Sequence, residues 1–109
     1  MENNSEKTIR LKDFEIEAIK KNFLKHFLRN DHIWLFGSRV DKSRRGGDID
    51  LYIETDLTPK DAATKRQNFV IDLWYDIGEQ KIDVVLHILS NPDKLTIYSV
   101  AKAEGIQLL

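Results

Sequence analysis

The chain has 109 residues, of which 41% are hydrophobic and 32% are charged, so it has the size and balance of one globular domain and not of a disordered segment. Its 17 basic and 18 acidic residues nearly cancel, which excludes a strong overall attraction to nucleic acid or to an anionic membrane surface. The lack of cysteine excludes disulfides and thiolate metal sites, and no apolar run approaches the roughly 20 residues of a membrane-spanning helix. The start of the chain is acidic and polar, unlike a signal peptide, so we expect a soluble cytoplasmic protein.

The first part of the chain predicts a short tail and a helix. We expect residues 1–12 to form a flexible N-terminus and residues 13–109 to form a single domain. Asp13 is a suitable N-cap for the helix. The apolar residues that follow it recur at the spacing of one helix face: Ile16, Ile19, Phe23 and Phe27.

Two strands and a basic loop are predicted next. Residues 32–36 are an apolar run that ends at Gly37, which is typical of a buried strand. Residues 38–47 are polar and strongly basic, and two glycines close this loop. Residues 48–54 alternate between polar and apolar side chains, which predicts a second strand with one buried face.

The second half of the chain predicts another helix and another strand. Thr58 and Pro59 supply a cap and a first residue for a helix that Gly78 ends. Residues 81–87 then form a largely apolar strand.

A final helix and a short strand complete the predicted elements. Asn91-Pro92 opens the helix, and Gly105 separates it from a short edge strand within residues 106–109. The order of elements predicts an α/β (α+β) fold in which helices cover a small sheet.

Gly37-Ser38 is the first feature that suggests chemistry. Glycine allows a positive φ and a close backbone approach, and the serine hydroxyl with nearby amides can hold phosphate oxygens. Taken alone, a Gly-Ser pair is more often an ordinary turn.

The second feature is the pair Asp48 and Asp50. Residues two apart on a strand share a face and lie roughly 7 Å apart, which suits two carboxylates that bind the same divalent ions. The alternative for such a pair is two solvated side chains.

Asp83, within the apolar third strand, is the third feature. A buried lone carboxylate costs several kcal/mol unless it is paired or binds a metal. Its alternative is a carboxylate at the end of the strand that forms a salt bridge with Lys81 or with an arginine. If the strands bring all three acids together, they match a known arrangement for phosphoryl and nucleotidyl transfer, in which two metal ions lie roughly 4 Å apart.

These motifs resemble one family. The stretch 35–39 (Leu-Phe-Gly-Ser-Arg), the stretch 48–51 (Asp-Ile-Asp-Leu) and the later Asp83 are similar to motifs of the DNA polymerase β-type nucleotidyltransferases. Within that superfamily the chain most resembles the minimal nucleotidyltransferases that are encoded beside HEPN-domain proteins, over residues 13–109. One departure is Gly47, where many relatives have serine or another small polar residue.

The resemblance implies a nucleotidyltransferase fold with a short mixed sheet. It implies that Gly37 and Ser38 hold the triphosphate of ATP. It also implies that Asp48, Asp50 and Asp83 are the catalytic residues and bind Mg²⁺, with two ions expected. Members of this branch are antitoxins, and some transfer AMP to a tyrosine of a partner HEPN toxin. We therefore expect a protein adenylyltransferase that forms a hetero-oligomer with such a toxin.

Other polar residues near these motifs are less specific. Arg39 directly follows the turn, and its guanidinium is suited to phosphate oxygens. The neighbouring basic residues have no assigned role: Lys42, Arg44 and Arg45. Glu54 lies on the face of Asp50 but two residues beyond the pair, so we expect an exposed position at the strand edge. His87 shares the face of Asp83.

Two other functions stay open at this stage. The chain could be a binding module that neutralises its partner by forming a complex, without catalysis. It could also be a stand-alone transferase that modifies a small molecule or an RNA end, although the near-neutral charge makes a nucleic-acid partner unlikely.

Overall fold

A four-stranded mixed sheet is the framework of the domain, in a computed structural model that describes residues 9–40, 47–91 and 94–109. The helices are α1 (Asp13–His26), α2 (Pro59–Ile77) and α3 (Thr96–Glu104). The strands are β1 (His32–Phe36), β2 (Ile49–Thr55), β3 (Ile82–Ile88) and β4 (Ile106–Gln107), and a 3₁₀ turn (Gly37–Val40) follows β1. The predicted α/β fold, a small mixed sheet with helices packed on it, is confirmed.

The strand order is β3-β2-β1-β4. Strand β1 is antiparallel to both β2 and β4, whereas β2 and β3 are parallel. Parallel neighbours need a long crossover, and α2 provides it. This parallel pair determines the geometry of the candidate site, because it aligns β3 with β2 residue by residue.

Helix α2 begins and ends where its local sequence predicts. The Thr58 hydroxyl accepts a hydrogen bond from the Asp61 amide at 3.2 Å, and Pro59 is the first helical residue. At the other end, Gly78 adopts a φ of 94° and its amide donates to the Trp74 carbonyl at 2.8 Å. Helix α2 is thus well defined by local signals, which fixes the length of the crossover.

Two predicted helix starts are wrong. In α1 the N-cap is Lys12, and Asp13 is the first helical residue; the Glu15 carboxylate accepts from the Lys12 amide at 2.9 Å. Helix α3 begins at Thr96 and not at Asn91-Pro92. Residue 92 lies outside the described residues.

The N-terminal segment that precedes α1 is part of the packed structure from residue 9 onward. Ile9 and Leu11 pack against the core. The Arg10 amide donates to the Arg39 carbonyl at 2.7 Å, so this segment lies along the 3₁₀ turn. The packed domain therefore extends N-terminal of the predicted boundary at residue 13, and the rest of the predicted flexible tail, residues 1–8, lies outside the described residues.

The two faces of the sheet are covered differently. The face under α1 and α2, here called the core face, carries the larger apolar cluster. Its buried members include Ile19, Phe23, Ile33, Leu35, Ile49, Leu51, Ile53, Phe69 and Leu73. The opposite face, here called the α3 face, carries a smaller cluster of Trp34, Tyr52 and Ala101. Because side chains alternate along a strand, the residues between the core positions of β2 and β3 all belong to the α3 face.

Within residues 9–40, 47–91 and 94–109, every helix is too short or too polar to span a lipid bilayer.

Candidate active site

Asp50 and Asp83 occupy paired positions on the parallel strands β2 and β3. Neighbouring strands lie about 4.8 Å apart, and paired residues project their side chains to the same face. Ile49 and Ile82, one residue earlier on each strand, are also paired and lie on the core side. Both carboxylates therefore project from the α3 face, side by side, as the sequence required of a shared site.

Asp48 lies two residues before Asp50 and extends the same face. Lys81 lies opposite it, two residues before Asp83, and the Lys81 Nζ is 3.5 Å from the Asp48 Oδ2. Both side chains are largely accessible, at 47% exposure for Asp48 and 67% for Lys81. The three predicted acids thus share one end of the α3 face, but the carboxylate of Asp48 is paired with an ammonium group.

Gly37 begins the 3₁₀ turn directly beside Asp50. Its φ is 76°, in the left-handed region that favours glycine. A Cβ atom at this position would collide with the Asp50 carboxylate. Phe36, the residue before it, pairs with Asp50 across β1 and β2. Two physical factors therefore favour glycine at position 37: the left-handed backbone conformation, and the Asp50 carboxylate, which occupies the space of a Cβ atom.

Ser38 is buried, and its hydroxyl donates to the Asp48 carbonyl at 3.4 Å. In this arrangement the hydroxyl joins the turn to the start of β2. The predicted contact with a triphosphate remains a prediction.

Arg39 also joins separate segments around the turn. Its guanidinium donates to the Arg10 carbonyl at 2.9 Å and to the Gly47 carbonyl at 2.9 Å. The Arg10 guanidinium in return donates to the Ser38 carbonyl at 2.5 Å. Arg39 thus fixes the backbone directly before Asp48, and its predicted phosphate contact also stays a prediction. The predicted basic residues Lys42, Arg44 and Arg45 lie outside the described residues.

Asp83 is not buried, which corrects one premise of the sequence argument. It is the second residue of β3, near the end of the strand, and its side chain is exposed. The cost of burying a lone carboxylate therefore does not apply to it. Within the described ranges Asp83 forms no ion pair, and Lys81 contacts Asp48 instead. Its placement beside Asp50, and not its burial, is what singles it out.

The donor chemistry of this end of the sheet suits a divalent cation. Carboxylate oxygens are the ligands that Mg²⁺ prefers, and three of them project from one face. The space that Gly37 leaves for the Asp50 carboxylate is consistent with a site that needs this side chain in place. With the side chains as they lie, however, no three Asp, Glu or His residues of the described segments converge closely enough to hold an ion. The Asp48 carboxylate lies against Lys81 in this arrangement.

A polar network occupies the middle of the α3 face, beyond the acids. The Tyr52 hydroxyl donates to the Glu54 carboxylate at 2.7 Å and lies 2.8 Å from the His87 Nδ1, so His87 must donate to the hydroxyl. The Lys102 ammonium is 3.1 Å from the same carboxylate. The imidazole of His87 stacks on Tyr98 with 4.0 Å between ring centroids. Glu54 is therefore mostly buried, and its carboxylate connects α3 with the sheet through Lys102 and Tyr52. The predicted exposed position of Glu54 is wrong.

The pKa values of this network reflect its burial. Burial raises the pKa of the Tyr52 hydroxyl above its ordinary value, and the neighbouring Glu54 carboxylate adds to the shift. Burial alone would also raise the pKa of Glu54, but the hydrogen bond from Tyr52 and the ammonium of Lys102 together hold it below its ordinary value. At neutral pH the network therefore contains a neutral tyrosine and a carboxylate.

A surface groove also runs between α2 and the edge strand β3. Its lining includes Arg66, Val70, Trp74, Ile82 and Asp83. The Ile82 side chain belongs to the core side of the sheet. The groove therefore opens on that side, and only the strand end at Asp83 connects it with the acids.

No model of a known protein family matches the chain, and no curated protein matches it. Membership of the minimal nucleotidyltransferases therefore stays a prediction from the motifs.

Proposed function

We propose that this protein is a magnesium-dependent nucleotidyltransferase that transfers AMP from ATP to a hydroxyl group. The observation that carries the proposal is the in-register pairing of Asp50 with Asp83 on one face, directly beside the Gly37 turn. Separate segments of the chain bring together the acids and the glycine turn that the motifs predicted to cooperate.

The roles of the acids follow from their positions. Asp48 and Asp50 would hold Mg²⁺, which neutralises the triphosphate and stabilises the charge that develops at the α-phosphorus. Asp83 would share in binding the metal and accept the proton of the attacking hydroxyl. The hydroxyl oxygen forms a bond to the α-phosphorus, the bond from that phosphorus to the bridging oxygen breaks, and pyrophosphate leaves.

The proposed acceptor is a tyrosine hydroxyl of a partner HEPN toxin, and its modification in the cytoplasm would neutralise the toxin. This choice comes from the resemblance. A physical feature is compatible with it: Asp83 is exposed on an edge strand, so a hydroxyl on a second macromolecule can reach it without entering a closed cavity.

The alternative is a binding module that neutralises its partner without catalysis. The observation that favours it is the Lys81–Asp48 ion pair, since acids that are paired with lysine do not need a metal. Against it stands the glycine turn, because a passive surface gains nothing from a left-handed residue placed against Asp50.

The two functions are separated by a labelling experiment. The full chain, ATP labelled at the α-phosphate, Mg²⁺ and the product of the adjacent gene are incubated, and label on the partner is measured. We expect transfer by the unaltered protein and a loss of about a hundredfold to a thousandfold in Asp50→Asn. Asp61→Asn, an exposed acid on α2 away from the site, serves as the matched control and should retain transfer.

Three outcomes would contradict the proposal in different ways. Absence of label from the partner in the unaltered protein counts against transfer to that protein. Neutralisation that survives the combined substitution Asp48→Asn and Asp50→Asn, with normal complex formation, supports the binding module. Label on RNA or on a small molecule without any partner identifies a stand-alone transferase.

A further inference from the structure

Lys81, which the sequence offered only as a possible partner of Asp83, contacts Asp48. It lies opposite Asp48 in the parallel pair of strands, and its Nζ is 3.5 Å from the Asp48 Oδ2. It also lies two residues before Asp83, so both project from the α3 face. The ammonium group therefore contacts one of the three acids that would receive the metal and the triphosphate.

The Lys81–Asp48 ion pair is suited to exchange. Both side chains are accessible to solvent, at 67% and 47%, and exposed pairs of this kind are weak and are screened by salt. Lysine has a compact charge on a flexible four-carbon chain, so its ammonium group can move by several ångströms without a change in the backbone. A point charge of this kind is a common ligand of phosphate.

We infer that Lys81 exchanges partners during nucleotide binding. Without nucleotide it neutralises Asp48 and competes with the divalent cation for that carboxylate. When the metal and the nucleoside triphosphate bind, Asp48 turns to the metal and Lys81 binds a phosphate oxygen. The inference rests on the proposed function, and it assigns to Lys81 a phosphate-binding role in the same site.

The exchange predicts a pattern of binding affinities in Lys81→Met that a purely structural role of Lys81 would not produce. Replacing Lys81 by methionine removes the competing cation, so a divalent metal alone should bind about threefold to tenfold more tightly. The same substitution removes a phosphate ligand, so the nucleotide in the presence of metal should bind about tenfold more weakly. The two affinities move in opposite directions, whereas local unfolding would weaken both.

The test uses Mn²⁺ as the probe, because free Mn²⁺ gives an electron paramagnetic resonance signal that falls when the ion binds. The full chain is titrated with Mn²⁺ alone, and then with α,β-methylene-ATP at saturating Mn²⁺. Lys21→Met is the matched control, since Lys21 is also 67% exposed and pairs with a carboxylate, Asp76, at 3.0 Å away from the site. Lys81→Arg keeps the charge and should restore both affinities toward those of the unaltered protein.

The outcomes separate this inference from the proposed function. Opposite shifts in Lys81→Met, with neither shift in Lys21→Met, support the exchange. If Lys81→Met matches Lys21→Met, or if both affinities move in one direction, the exchange is overturned. The proposed function survives that result as long as Asp50→Asn binds Mn²⁺ more weakly than the unaltered protein. If Asp50→Asn and the unaltered protein bind Mn²⁺ equally, both proposals fail.

Discussion

The two faces of the sheet are built from the same strands and differ in almost every other respect. On β2, the residues Ile49, Leu51 and Ile53 are fully buried under α1 and α2. The residues between them belong to the α3 face and are polar, and their exposure to solvent changes along the strand: Asp50, Tyr52 and Glu54. At one end the acids are open to solvent, and further along the tyrosine and the glutamate are enclosed by α3.

The difference shows how a small domain separates stability from chemistry. The core face buries apolar surface, which stabilises by roughly 25 cal/mol for each Å² removed from water. On the α3 face the short helix α3 covers Trp34 and Tyr52, while Asp48 stays 47% exposed. Four substitutions test this separation.

The largest effect is expected from Phe69→Ala on the core face. Phe69 is fully buried and packs edge-on against Phe27, so truncation leaves a cavity and should lower the free energy of unfolding by about 3–5 kcal/mol. Urea denaturation measures the loss. Tyr75→Ala on the same helix is the control, because Tyr75 is 85% exposed and should change stability by less than about 0.5 kcal/mol. Equal losses in the two variants would show that the core face is not the stabilising one.

Gly37→Ala should damage both stability and activity. The left-handed φ costs about 1–2 kcal/mol with a Cβ atom, and the new atom displaces the Asp50 carboxylate. Because Asp50 is a proposed metal ligand, we expect its displacement to reduce the proposed transfer by about a hundredfold.

Gly78→Ala is the matched control for the backbone strain that a Cβ atom causes at a positive φ. Gly78 also has a positive φ, but nothing lies within 4 Å of an added Cβ. We expect a loss of stability of about 1–3 kcal/mol, measured by thermal unfolding, with normal labelling of the acceptor. Normal labelling by Gly37→Ala would mean that the position of Asp50 is irrelevant to the reaction.

Tyr52→Phe should have an intermediate effect on stability alone. It removes a hydroxyl that bonds Glu54 and His87. The His87 Nδ1 then loses this acceptor, while Glu54 keeps its contact with Lys102, and we expect a cost of about 1–2 kcal/mol. Tyr98→Phe is the comparison, because its hydroxyl makes no hydrogen bond within the described ranges. Chemical denaturation of both variants should show a loss only in the first.

The smallest effect is the pH dependence that Glu54 contributes. Its pKa in the folded protein lies below the ordinary value of 4.5, so its contribution to stability is fully present above that pH and is lost as the pH falls through the lower, folded-state value. The free energies of unfolding of the unaltered protein and of Glu54→Gln should therefore differ by about 1 kcal/mol or less at pH 6 and converge in acid. Asp72 and Asp76 also have lowered pKa values, but they are present in both proteins and cancel in the difference. A gap that widens in acid would contradict the assignment.

The sequence predicted those parts of the fold that depend on neighbouring residues. The ends of α2 follow from Thr58, Pro59 and Gly78, which act within one helical turn. The start of α3 was misplaced because Asn91 and Pro92 are also common in turns, and the residues that follow them do not distinguish the two possibilities.

The candidate site was predicted only in part, because its geometry depends on contacts between distant residues. Spacing placed Asp48 and Asp50 on one face, but the pairing of Asp50 with Asp83 is set by the α2 crossover and by the packing of two core strands. The contacts of Arg10 with the turn and of Lys102 with Glu54 carry no local signal at all. Lys81 was recognised as a possible ion-pair partner, and only the register shows that its partner is Asp48.

The register of β3 also makes correct assembly of the protein a condition for activity. A shift of β3 by one residue along β2 would exchange its two sets of side chains, so that Ile82 and Val84 would face water and Asp83 would face the apolar layer. Such a misaligned chain would be both unstable and inert. The strand register that buries Ile82 and Val84 is therefore the same register that places Asp83 in the proposed site.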